Sequence, residues 1–101
     1  MESKQDYIGR LRAIISQLHN CTAVYRETVP VHEIFQDQTV WQGDVEVFDL
    51  TDHPTASRAY GWSRRDDVKD ETERFVTVLE LPPVTSPTTA VRASIMAAEK
   101  K

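Results

Sequence analysis

The side chains that could do chemistry in this chain are few. His19, Cys21, His32 and His53 are the candidates for binding a metal or attacking an electrophile. His19 and Cys21 stand two apart, which on a strand puts them on one side, and His53 could complete a metal site with them. The tighter pairs that mark most such sites, CxxC or HxxxH, are absent. The plainer reading makes His19 a helix-end residue and Cys21 a small buried apolar side chain, so no metal and no cofactor is expected. A cysteine nucleophile would need one of these histidines as base and an aspartate to orient it, and no spacing brings them together. His32-Glu33 is not the His-x-Glu of a deaminase, and no PCxxC follows it.

Carboxylates offer a second possibility. Asp44 and Glu46, two apart on a strand, would share a face with Trp62 and Arg64 near them. Acid–base catalysis needs two carboxylates across a cleft in different environments, whereas cross-strand charge pairing needs only this face. Asp49, Asp52 and His53 suit a turn better than a site. The glycines Gly9, Gly43 and Gly61 are scattered, so no phosphate-cradling loop is present. No catalytic residue is assigned.

The elements that position these groups centre on Thr39 to Leu81, which reads as a three-stranded antiparallel meander: TVWQGDVEVFDL, ASRAYGWS and ERFVTVLEL. Thr51 to Thr55, with Pro54, makes the first turn, and the charged run Arg64 to Arg74 makes a solvated hairpin loop. A register with Phe48 opposite Tyr60, and Tyr60 opposite Val78, satisfies several constraints together. Asp44 then faces Arg64, Glu46 faces Trp62 and Arg58 faces Glu80, each pair contributing about 0.2–1 kcal/mol. In that register Trp41, Val45, Val47, Phe75, Leu79 and Leu81 surround small Ala59 and Gly61, leaving room for a helix to lie close. That face is the expected core.

Before the meander, Ser3 to His19 reads as a helix with an apolar stripe of Tyr7, Ile8, Leu11, Ile14, Ile15 and Leu18. Ser3 caps it, with Asp6 three residues on, and Asn20 suits its end. CTAVYRETVPVHEIF reads as extended, and Pro30 places it on a sheet edge or splits it; Gln36 to Thr39 then turns the chain. After the meander, Pro82-Pro83 ends the last strand. Ser86-Pro87 starts a second helix, with Val91, Ile95 and Ala98 inward and Lys100 and Lys101 at the negative end of its dipole. The fold class is α+β: an antiparallel sheet of about four strands, the meander 39–81 plus an edge strand, with the N-terminal and C-terminal helices on one face.

The opposite, helix-free face then carries Asp44, Glu46, Phe48, Arg58, Tyr60, Trp62, Arg64, Val76 and Val78 as a ligand or partner face, aromatics rimmed by charge. With 101 residues and 40% apolar content the chain makes a single domain, residues 1–101, small enough to gain stability from a second subunit. The net charge of −4 argues against nucleic acid, and no apolar run is long enough to span a membrane. One cysteine and no signal-peptide core point to the cytoplasm. The expectation is a non-enzymatic interaction or accessory module that self-associates as a homodimer through the aromatic face. The alternative is a small-molecule binder or minor enzyme using Asp44, Glu46, Tyr60, Trp62 and Arg64.

Overall fold

The structure, a computed structural model, describes residues 3–65 and 73–99, with the side chains of 64, 65, 73, 74, 98 and 99 excepted. Most of the charged loop, and the lysines expected at the end of the second helix, lie outside the described residues. Helix α1 (Lys4–His19) precedes four strands, β1 (Thr22–Phe35), β2 (Gln38–Thr51), β3 (Arg58–Arg65) and β4 (Glu73–Leu79), and helix α2 (Pro87–Glu99) follows them. The strands form one open antiparallel sheet in the order β1-β2-β3-β4. This is the expected α+β fold, with β1 at the edge.

Local chemistry explains the ends of the elements. The Ser3 hydroxyl accepts from Asp6 N at 3.1 Å, and Asn20 adopts the left-handed conformation (φ 53°) while its N–H donates to Ser16 O. Ser86 Oγ accepts from Thr89 N at 3.2 Å, one residue before Pro87 opens α2. The β1–β2 turn is Gln36-Asp37, both left-handed (φ 53° and 63°), the turn geometry that matches the right-handed twist of a hairpin. Pro30 sits within an unbroken edge strand, where a residue without an N–H is tolerated.

The β3–β4 register is the expected one, with Tyr60 opposite Val78. The β2–β3 register is one residue away from it: Phe48 stands opposite Ala59, Val47 opposite Tyr60 and Glu46 opposite Gly61. Because side chains alternate, that single step moves half of the expected face to the other side of the sheet. It also moves a helix. Leu11 and Ile15 of α1 pack with Ala23, Phe48, Leu50, Ala56 and Ala59 on one face. Ala90 and Val91 of α2 pack with Val31, Val45, Val47, Tyr60 and Trp62 on the other. The expectation that both helices share one face is therefore corrected: they lie on opposite faces.

Magnitudes explain the choice. The expected register gains charge pairs of about 0.2–1 kcal/mol each. The observed one buries Phe48, Tyr60 and Trp62, and full burial of a large apolar side chain contributes about 1.5–3 kcal/mol each. The room that Ala59 and Gly61 leave is used, by α1. A Cβ on Gly61 would stand 3.2 Å from Leu11 Cδ2.

Two bulges complete the arrangement. Between Tyr25 and Glu27 the ladder skips Arg26, and between Glu33 and Ile34 it skips Val40 on β2. The first bulge switches faces, so Ala23 packs under α1 while Val29 and Val31 pack under α2. It also aims Arg26 at Asp49, 3.2 Å away.

Candidate functional site

The nine residues expected to form one face are divided by the sheet. By strand alternation Asp44, Glu46 and Phe48 belong to the α1 side, with Phe48 fully buried and Asp44 exposed. Tyr60, Trp62, Val76 and Val78 belong to the α2 side, where Tyr60 and Trp62 are buried and the two valines are half-buried. Trp62 meets Trp41 edge-on, with ring centroids 5.6 Å apart. The Tyr60 hydroxyl donates to Glu80 Oε2 at 2.6 Å, and burial, then Glu80, pushes its phenol up to about 12. Arg58 pairs with Asp49 at 3.4 Å, and Arg64 stands opposite Arg74 in the ladder. These residues thus form two halves of core with polar edges rather than an open aromatic face. Asp44 and Glu46 are not gathered with Tyr60 and Trp62 around a cleft.

Glu46 is the one buried charged side chain among the described residues. It lies beneath the start of α1, accepts from Thr28 Oγ1, and sits 3.5 Å from Lys4 Nζ. Thr28 Oγ1 is in turn 2.7 Å from the Tyr25 hydroxyl. The network satisfies a buried carboxylate.

The histidines and the cysteine do come together in part, at the end of α1 and in the β2–β3 turn. The His19 and His53 rings lie 6.3 Å apart, edge to face. His53 Nδ1 accepts from the N–H groups of Thr55 and Ala56 at 3.1 and 2.9 Å, so this histidine builds the turn. His19 Nε2 is buried and has no hydrogen-bond partner among the described residues. Burial, and then Asp52, push the Cys21 thiol up, opposite to the direction a thiolate nucleophile needs. Among the described residues no group of three or more His, Cys, Asp or Glu side chains could hold a metal ion. His32 is remote from this cluster in the chain, its Nε2 2.7 Å from Thr39 Oγ1 on the β1–β2 hairpin.

The His19 environment has a consequence in acid. Burial, then neighbouring His53, hold the His19 imidazole below its ordinary value. The unfolded chain therefore takes up this proton first as pH falls. The stabilisation is full above the unfolded value of about 6.5 and is lost as pH drops through the lower folded value. Urea midpoints measured between neutral pH and pH 5 should fall more steeply for the natural chain than for His19→Gln. Parallel curves would show that His19 does not carry the effect.

A surface that sequence reasoning missed lies at the far end of the long hairpin. Ile34, Phe35 and Val40 are 59, 64 and 47% exposed, and Met96 of α2 is 60% exposed. With Ile95 they line a groove of about 410 Å³, bordered by the ion pair of Arg92 with Glu33 that ties α2 to β1. The hairpin projects because β3 pairs with β2 only from Glu46 to Asp49, leaving residues 38–45 of β2 beyond it. The bulge at Val40 re-aims the side chains there. The available signal was the adjacent pair Ile34-Phe35 next to a polar turn, since strand alternation cannot turn both to one covered face.

No family model matches this chain, and neither a curated protein nor a solved structure matches it. Among the described residues no helix is long and apolar enough to cross a membrane.

Proposed function

We propose that this protein is a non-enzymatic interaction module that self-associates and acts in the cytoplasm. The observation that carries this reading is the apolar hairpin end, where Ile34, Phe35, Val40 and Met96 are contiguous with one groove and largely exposed. Folded domains seldom leave large apolar side chains grouped on the surface without a use for them, and such groups are what protein interfaces contain. Among the described residues the reactive groups do not converge on one site, which supports a non-enzymatic role. His53 is engaged by its own turn, the Cys21 thiol is pushed up, and the sheet separates Asp44 and Glu46 from Tyr60 and Trp62. A single cysteine and a chain with no described membrane-spanning helix agree with a reducing, aqueous compartment.

The alternative, a small-molecule binder, now rests on the same groove, since Tyr60 and Trp62 are covered. Light scattering across a dilution series separates the two. The interaction reading expects twice the 11.5 kDa of one chain, falling toward one chain only on strong dilution. A monomer at every concentration, stabilised against heat by an apolar small molecule and not so stabilised as Phe35→Glu, would favour the binder instead.

A further inference from the structure

Two parts of the surface could receive a second copy: the apolar hairpin end and an open edge of the sheet. We infer that the second copy pairs with the outer edge of β4, joining two four-stranded sheets into one sheet of eight strands. The inference rests on the self-association reading above, places the contact between copies at β4, and leaves the apolar hairpin end for another protein.

The two edges of the sheet differ. The β1 edge carries Pro30, a bulge at Arg26 and the charged pair Arg26-Glu27, devices that blunt an edge against pairing. β4 begins with a charged pair of its own, Glu73-Arg74, but has neither proline nor bulge: its ladder to β3 runs from Glu73 to Leu79 without a register shift, and its centre, Phe75-Val76-Thr77-Val78-Leu79, is rich in strand formers. Among the described residues no strand lies outside β4.

The backbone of β4 is aimed for such pairing. Glu80 N donates to Arg58 O at 2.9 Å, which identifies Arg58 and Glu80 as a hydrogen-bonded pair. Antiparallel ladders alternate, so Val76 and Val78 also direct their N–H and C=O groups at β3. Phe75, Thr77 and Leu79 therefore direct theirs outward. Leu79 O accepts from Leu81 N; the N–H groups of all three residues, and the carbonyls of Phe75 and Thr77, have no partner among the described residues.

A two-fold contact requires a patch that complements itself. The segment Phe-Val-Thr-Val-Leu does so about Thr77. With the axis at Thr77, Val76 meets Val78 of the second copy, Phe75 meets its Leu79, and the two threonines face each other. Thr–Thr and aromatic–aliphatic pairs are favourable cross-strand neighbours. All five side chains are half-buried in the single chain, so an added strand would cover both of their rows. The hairpin ends then lie at the two far ends of the eight-stranded sheet. If both surfaces bound further copies by two-fold contacts, the result would be an open chain of molecules rather than a closed dimer. One surface serves the second copy, and β4 has the self-complementary pattern. The dimer would thus present two apolar ends, suited to holding two sites on another protein at once.

The test is light scattering on the full chain with three variants. Thr77→Lys places like charges opposite each other on the axis, and Thr77→Pro removes an outward N–H that no described group uses. Both should lose half the mass while circular dichroism keeps the natural spectrum, and Phe35→Glu should stay a dimer. A dimer that survives both Thr77 variants overturns the β4 contact, and one dissolved by Phe35→Glu moves it to the hairpin end. A natural chain that is monomeric at every concentration sinks self-association itself, which is a different failure. Should the Thr77 variants not fold, amide exchange in the natural chain decides. Phe75, Thr77 and Leu79 amides should be protected in concentrated protein and lose that protection on dilution; no change on dissociation overturns the proposal.

Discussion

Trp62→Ala is expected to destabilise the chain by about 3–5 kcal/mol, the usual cost of deleting a large aromatic from a packed core. Trp62 is 2% exposed, packs with Val91 and Val47 in the α2-side core, and meets Trp41 edge-on. Domains of this size hold about 5–15 kcal/mol in total, so the variant should melt at a much lower temperature or fail to fold. Phe48→Ala should cost a comparable amount from the other face, because Phe48 is 0% exposed beneath α1. Urea titration of both variants tests the opposite placement of the two helices. If Trp62→Ala costs under about 1 kcal/mol, Trp62 lies on a surface and α2 does not cover it. The same result would reopen the aromatic face as the contact between copies. A charged residue at position 62 should accordingly unfold the chain rather than merely separate subunits.

Legibility followed the range of the interactions. The caps of α1 depend on Ser3, Asp6 and Asn20, all within a turn of the residues they serve, and they stand where the sequence puts them. The β3–β4 register was legible because the charge pair Arg58 with Glu80 and the apolar pair Tyr60 with Val78 call for the same alignment. The β2–β3 register was not, because cross-strand charge pairs and face-wide burial point to different answers, and burial stabilises more. A clue stood in Ala59-Tyr60-Gly61-Trp62, which carries no charged residue and is buried at every position. Short stretches with so little polar alternation suit strands covered on both faces. The bulges at Arg26 and Val40 left no such clue, since an extra residue changes the face without changing local composition. At the hairpin end the adjacent pair Ile34-Phe35 was the only local signal, because the exposure there depends on where β3 stops pairing with β2, a long-range feature.

Glu46 gives the sharpest separation between what this fold needs and what it merely tolerates. Its carboxylate is buried beneath α1, beside Phe48 and opposite Gly61, with Thr28 donating to Oε1 and Lys4 3.5 Å from Oε2. Lys4 is 53% exposed, and an ion pair with one exposed partner contributes only about 0–1 kcal/mol. The hydrogen bond matters more. Thr28→Val should cost about 1–3 kcal/mol, because it leaves one oxygen of a buried carboxylate unsatisfied. Lys4→Met should cost less. Glu46→Leu should be neutral or stabilising, since replacing a buried charge by an apolar side chain of similar size removes its desolvation penalty. Leucine would join Leu11 and Phe48 in the cluster already there, and Thr28 and Tyr25 would keep each other as partners. These three midpoints, measured in urea at neutral pH, rank the network. If Glu46→Leu were instead the most damaging, the carboxylate would be holding the start of α1 against the sheet, and the ion pair rather than Thr28 would be the contact that fixes it.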